Sequence, residues 1–253
     1  MSFCSHEITY TMEKRPKYLI SKSPSELKES EVMDSITIDC CIFSFEKGEF
    51  KVLLVQHGEG IRKGEWGLPG GWIEYDEDID DAANRLLENL TGLKDIYLEQ
   101  VKAFGNPKRF PLGRVITIGY YALINSENFD IKAGFTASEA KWVEVNKVQN
   151  LIYDHDEILN ESLLHLREKV RRAPTGFNLL PEKFTLLQLM ELYQQILNIE
   201  VDKSNFRRKF LKMKLLKENG DKQEGVSHRA AKLYSFDEST YQRLTEKGFN
   251  FEF

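Results

Sequence analysis

Cysteine is scarce in this chain of 253 residues: Cys4, Cys40 and Cys41 are all it has. Two are adjacent and the third sits in a polar terminal stretch, so no disulfide framework can be drawn and reduced thiols are expected. Long apolar runs are also missing. No stretch approaches the roughly 20 apolar residues that a membrane-spanning helix needs, so no membrane partner is expected. The opening MSFCSHEITYTMEKRPKYLISKSPSELKES is polar and charged and holds no apolar signal-peptide core, which makes a cytoplasmic protein the expectation. Histidines with ligand spacing are absent: His6, His57, His155, His165 and His228 stand singly, with surface or satisfied-core roles as the default. No nucleophile–base pattern stands out. The pair Cys40-Cys41 lies in a strand-like run, where buried structural thiols are expected. There is no internal repeat and no low-complexity tract.

What is present suits folded domains. At 41% hydrophobic and 11% aromatic residues, the chain can bury real cores. Its length favours two domains. The net charge of −5 hides an asymmetry: from Arg171 onward there are 15 basic and 11 acidic residues, whereas the rest is strongly acidic. A basic half is a hint of nucleic-acid contact.

Residues 1–34 show little periodicity and are expected to form an N-terminal arm. The segment SITIDCCIFSFEKGEFKVLLVQ (35–56) gives two β-branched and aromatic runs around Glu46-Lys47-Gly48-Glu49, a hairpin signal. A Gly-rich loop, WGLPGGWIE (66–74), precedes helical periodicity over 78–91. Strands are expected at 95–104, 114–124 and 140–145, and a helix at 155–172. That order predicts helices on a mixed sheet. APTGFNLLP (173–181), with two prolines and a glycine, marks a linker over 173–183.

The segment GGWIEYDEDIDDAANRLLENLTGL (70–93) resembles the Nudix box, matching through Gly71, Glu77, Arg85, Leu87, Gly92 and Leu93. The preceding WGLPG also fits, and the likeness extends over about 35–170. The resemblance implies an effector-binding domain over 35–172. The family pattern asks for glutamate where this chain has Leu86, Asn89 and Leu90. In active members those carboxylates hold magnesium, which needs hard oxygen ligands. Leucine offers none. The positions instead extend an apolar stripe of Ile79, Ala82, Ala83, Leu86, Leu87 and Leu90. A ligand cleft without catalysis is therefore expected: no catalytic residue, no metal and no cofactor. Trp72, Glu74, Arg85, Phe104, Lys108, Arg109 and Arg114 are its candidate contacts, with Tyr120 as a further wall. Guanidinium groups suit phosphates and carboxylates, although Arg85 also reads as a structural partner of Glu77.

Past the linker, FTLLQLMELYQQIL (184–197) has one apolar face with Thr185 as its cap, and SNFRRKFLKMKLL (204–216) turns Phe206, Phe210 and Met213 inward. LLKENGDK (215–222) and AAKLYSFD (230–237) suit a hairpin. Helix–turn–helix–hairpin is a winged-helix order, placed at 184–253. From Lys203 to Lys217 there are seven Lys/Arg and no acid. In a recognition helix the first turns reach bases and the basic flanks meet phosphates. Asn205 and Arg208 are candidates for bases; Lys203, Arg207 and Lys212 for phosphates; His228 and Arg229 for the backbone or minor groove.

Together, the Nudix-like segment, GFNLLPEKFTLLQLMELYQ (176–194) and DKSNFRRKF (202–210) resemble the Nudix-related transcriptional regulators. The expected fold class is α/β: a Nudix-type α/β/α sandwich with a mixed sheet, followed by a small α+β winged helix-turn-helix domain. The resemblance implies a homodimer that binds palindromic double-stranded DNA and senses a small effector, either a pentose or an ADP-ribose-like nucleotide. RLLENLTGL (85–93) resembles the sugar-responsive branch, such as arabinose regulators, more than the ADP-ribose-responsive one. One alternative is an active, Mg²⁺-dependent Nudix hydrolase of ADP-ribose or another nucleoside diphosphate derivative. Another is a protein-binding adaptor.

Overall fold

The computed structural model describes residues 32–223 and 230–253. Strands β1 (Val32–Glu46) and β2 (Glu49–His57) form the expected hairpin, joined by Lys47 and Gly48, both at positive φ. The Gly-rich loop contributes two short strands, β3 (Trp66–Gly67) and β4 (Gly70–Glu74). Helix α1 (Ile79–Thr91) starts at Asp78, whose side chain accepts from the Asp80 amide, and ends at the left-handed Gly92. Strand β5 (Glu99–Phe104) begins later than the sequence pattern indicates, because Asp95 at φ 55° turns the chain first. Strands β6 (Ile116–Ile124) and β7 (Ala137–Glu144) and helix α2 (His155–Arg172) complete this part.

β1 is the organising strand. It runs parallel to β6 over Ile36–Ser44, and antiparallel to β2 at one end and β4 at the other. The sheet is therefore mixed, ordered β3-β2-β1-β6-β5, with β4 on β1 and β7 on β2. Strand periodicity divides β1 between two cores. Ile38, Cys40 and Ile42 pack with Ala82, Ala83, Leu86 and Leu87 of α1. Cys41, Phe43 and Phe45 pack with Ile158, Leu159, Leu163 and Leu166 of α2. The adjacent cysteines thus serve opposite faces, and burial pushes both thiols up, Cys41 to about 12.

The 173–183 stretch, expected as a linker, is folded. Pro174–Leu179 forms a 3₁₀ turn, and Phe177, Leu179 and Leu180 are buried in the α2-side core. Short strand β8 (Phe184–Thr185) leads into α3 (Leu186–Leu197), where Thr185 and Gln188 make a reciprocal capping box. Helix α4 (Lys203–Met213) starts at Asp202 and stops at the left-handed Lys214. Strands β9 (Leu216–Lys222) and β10 (Lys232–Phe236) pair antiparallel, and β8 adds a third strand to β10. Two features escaped the sequence reading: helix α5 (Glu238–Thr245), and Phe249–Phe253, which returns to the core. No helix among the described residues is long and apolar enough to cross a membrane.

Candidate effector cleft and nucleic-acid interface

The cleft forms where four separate segments meet. Gly70, Gly71 and Trp72 supply one wall; Arg109, Phe110 and Val115 face them; Tyr153 and His155 close the side; and Thr37 and Asp39 of β1 form the floor. Gly70 is required by contact: an added Cβ would lie 2.3 Å from both the Asp39 carboxylate and the Ile38 carbonyl. Trp72 packs edge-on to Phe110, which in turn meets Tyr153. The Arg62 guanidinium sits 5.3 Å above the Tyr153 ring.

Beneath these rings lies a buried charged cluster. Arg109 donates from Nε and Nη2 to the two carboxylate oxygens of Asp154, each at 2.8 Å, and Nη2 reaches Asp39 at 3.3 Å. The Thr117 hydroxyl donates to the same Asp39 oxygen at 2.7 Å. His155 Nδ1 accepts from the Leu68 amide at 2.9 Å. Its ring proton therefore sits on Nε2, 3.4 Å from the other Asp39 oxygen. This network fixes the head of α2 against the floor of the cleft.

Burial is the largest influence on His155 and lowers its pKa; Asp39 and Asp154 oppose this, and Arg109 reinforces it. Burial also lowers the pKa of His57, with His155 adding to the effect. A lowered folded-state pKa means that the unfolded chain takes the proton first as pH falls below about 6.5. Stability should thus be lost from that pH downward to the folded-state pKa. His155→Asn keeps an acceptor at the Nδ1 position for Leu68 but cannot titrate. Its urea midpoint should fall less than that of the wild type between pH 7.5 and pH 5.5. Equal slopes in the two proteins would remove His155 from this linkage.

Of the seven ligand candidates, Trp72 and Arg109 line this cleft. Arg85 instead fastens helix to loop: it donates to Glu77 from Nε at 2.7 Å and to the Trp72 carbonyl at 3.0 Å, with Glu74 at 3.6 Å. Phe104 is buried beside Ile158 in the α2-side core. Tyr120 is buried on the α1 side, with its hydroxyl donated to Asp80. Lys108 is exposed, and exposed Arg114 donates to the Gly105 carbonyl at 2.6 Å. The sequence reading missed Asp39, Asp154 and His155. A carboxylate amid the apolar run ITIDCCIF was the available signal for Asp39.

Two of the three positions that would hold magnesium in an active relative are packing surface, and the third, half-buried Asn89, offers only a neutral amide. Leu86 and Leu90 are buried, and an added Cβ on Gly71 would come within 2.7 Å of Leu86. The 130–136 loop covers the end of α1, with Lys132 and Gly134 donating to the carbonyls of Thr91 and Leu90. Among the described residues, no three His, Cys, Asp or Glu side chains converge to hold a metal ion. These residues do not fit the family's magnesium.

Helix α4 shows the opposite character. Phe206 and Phe210 anchor it in the core, while Lys203, Asn205, Arg207, Arg208, Lys209 and Lys212 are all exposed. Arg208 donates to Asn205 Oδ1 at 2.6 Å across one turn. Two acids of the hairpin are paired, Glu218 with Lys232 and Asp221 with Lys183. His228 and Arg229 lie outside the described residues.

Residues 33–165 match the NUDIX domain family, and residues 176–236 match the NrtR DNA-binding winged helix domain. The chain belongs to the NrtR-type Nudix transcriptional regulators. Another regulator of this type, the ADPR responsive transcriptional repressor NtrR of Acinetobacter baylyi, is 33% identical over 220 residues, 85% of this chain and 85% of that protein. The structure of Shewanella oneidensis NrtR complexed with a 27mer DNA superposes with a TM-score of 0.69 at 27% identity, covering 85% of this chain and 97% of that one. The Nudix half also has an enzymatic relative. An ADP-ribose pyrophosphatase of Methanocaldococcus jannaschii is 31% identical over 111 residues, 44% of this chain and 64% of the enzyme.

Proposed function

We propose that this NrtR-type regulator is a repressor that binds palindromic DNA as a homodimer through α4, and that ADP-ribose held unhydrolysed in the cleft releases it. The observation that carries this reading is the pairing of an exposed, acid-free and strongly basic face on α4 with a Nudix helix in which two of the three metal positions are buried leucines. The Acinetobacter relative supports the choice of effector.

The cleft encloses only about 80 Å³ in this conformation. Sites for drug-sized ligands run from about 300 Å³ upward. ADP-ribose would therefore have to widen the cleft, with the Arg109–Phe110 wall as the proposed moving part, and such a change supplies the differential affinity that any effector requires. A larger hollow of about 570 Å³ lies between the β5–β6 edge and residues 175–182. Its charged lining of Asp95, Glu99, Glu127 and Glu182 against Lys169 opposes a diphosphate, so the smaller cleft is preferred.

Anisotropy titrations against a library of upstream DNA, with and without ADP-ribose, test the reading. Arg208→Ala should cost about 1–3 kcal/mol per half-site and relax preference at one base. Arg207→Ala and Lys212→Ala should weaken all DNA alike and reduce the salt slope by roughly one. ADP-ribose with Mg²⁺ should turn over at background. If no sequence is selected and the α4 variants bind DNA as wild type does, the adaptor reading replaces this one. Robust turnover abolished by Glu77→Gln would establish the hydrolase.

A further inference from the structure

The geometry points to Phe253 as a positioning residue that latches the DNA-reading helix α4 to α2, the helix whose other end closes the effector cleft. The inference rests on the functional reading above and adds the route by which the two sites communicate.

Helix α2 spans 18 residues, His155–Arg172, which is about 27 Å of rigid rod. Its head is fixed in the cleft: Asp154 takes both Arg109 donors, and His155 takes the Leu68 amide. Its tail is fixed to the winged helix at two points. Arg167 Nε donates to the Ile196 carbonyl at the end of α3, at 2.8 Å. The Phe253 amide donates to the Arg171 carbonyl at 2.9 Å.

From that hydrogen bond the Phe253 ring reaches into α4. Its centroid lies 5.6 Å from Phe206 and 5.7 Å from Phe210, the two buried residues of α4. It lies 4.5 Å from Tyr193 of α3, and Lys209 Nζ sits 5.2 Å above its face. Phe251, also buried, touches Phe210 with centroids 6.4 Å apart. One residue therefore holds α2 by its backbone and α4 by its side chain. Outward movement of the Arg109 loop pulls on Asp154 at the head of the rod, and the latch delivers that displacement to both anchors of the recognition helix. Packed elements transmit such shifts because they do not deform continuously.

The test compares full-length wild type with Phe253→Ala, with Phe253→Leu, and with Leu93→Ala, which weakens the α1-side core away from the latch. Operator affinity is measured by anisotropy with and without ADP-ribose, ADP-ribose affinity by calorimetry, and amide exchange in α4 and α1 by mass spectrometry. Phe253→Ala should weaken operator binding about fivefold or more, the low end of ordinary coupling factors, and bring the ADP-ribose effect on operator affinity close to a factor of one, meaning no coupling. Its ADP-ribose affinity should be unchanged. Phe253→Leu should keep most of both responses, and Leu93→Ala should keep the ADP-ribose effect. The latch is overturned if Phe253→Ala leaves operator affinity and effector response intact, or if Leu93→Ala changes them equally. A wild type indifferent to ADP-ribose would refute the effector reading, and the latch would then stand or fall on operator affinity. A wild type that selects no DNA would refute the regulator reading. In that case faster exchange in Lys203–Met213 of Phe253→Ala, with Ile79–Thr91 unchanged, supports the latch, and unchanged exchange in both overturns it. If Phe253→Ala does not fold, the partial loss in Phe253→Leu carries the same comparison.

Discussion

Arg109→Met should destabilise the protein by about 3–5 kcal/mol, because removing one partner of a buried ion pair leaves the other charge uncompensated. The Arg109 side chain is 4% exposed, and its partners Asp39 and Asp154 are 8% and 12% exposed. Methionine fills similar space, so the loss is chiefly electrostatic. Thr117 and His155 still face Asp39, which places the expected loss toward the lower end of that range. Asp154 loses both guanidinium hydrogen bonds. Adding Asp154→Asn to Arg109→Met should recover part of the loss, since the stranded charge disappears with it. Urea unfolding of the two singles and the double checks this. A loss below about 1 kcal/mol for Arg109→Met would mean that the pair is solvated and surface-like. Under the proposed function the same variant should also lose ADP-ribose binding, because Arg109 joins the cleft wall to the head of α2.

Leu86→Glu should cost about 4 kcal/mol at pH 7 through ionisation alone, rising to about 5–6 kcal/mol above pH 8–9. Leu86 is 1% exposed and lies against Gly71. A glutamate forced into such a site keeps its proton to a pKa of about 8–9, some four units above its unfolded value, and each unit is worth about 1.4 kcal/mol. The sign gives a second readout. With a folded-state pKa above the unfolded one, the neutral acid is tolerated at low pH and the penalty grows as pH rises. The stability deficit relative to wild type should therefore be larger at pH 8 than at pH 5. Leu90→Glu should behave likewise at 3% exposure. The opposite result, a small deficit together with a melting point raised by Mg²⁺, would show that this helix face still opens toward a metal.

Restoring the family's glutamates is therefore expected to unfold the protein before it restores an enzyme. A carboxylate face and a leucine face are alternative uses of one helix surface. In this chain the surface is spent on packing against Gly71, and the loop 130–136 seals the helix end.

The sequence by itself determined what depends on near neighbours. The apolar stripe of α1, the Thr185 cap of α3, the Lys47-Gly48 turn and the acid-free basic run of α4 all follow from spacings of a few residues. Helix and strand periods, caps and turns are local physics. The family resemblance rode on the same local pattern, with Gly71, Glu77, Arg85 and Gly92 in register. The tertiary structure decided what depends on distant pairs. Arg109 meets Asp39 from 70 positions away and Asp154 from 45, and His155 finds its donor, the Leu68 amide, 87 positions away. In the sequence, Asp39 was one polar residue in a strand and His155 one of five solitary histidines. Only folding brings them to a shared low-dielectric site, where each charge must find a partner or be excluded. Arg85 shows the reverse case: its chemistry suited an anion, but Glu77, eight residues back, already holds its guanidinium. Phe253 carried a misleading local signal, since FNFEF alternates apolar and polar residues with the period of a strand, yet Phe249–Phe253 forms none. Its place between Arg171, Tyr193, Phe206 and Phe210 is fixed by the closing of the core, because burial acts through area removed from water wherever in the chain that area comes from.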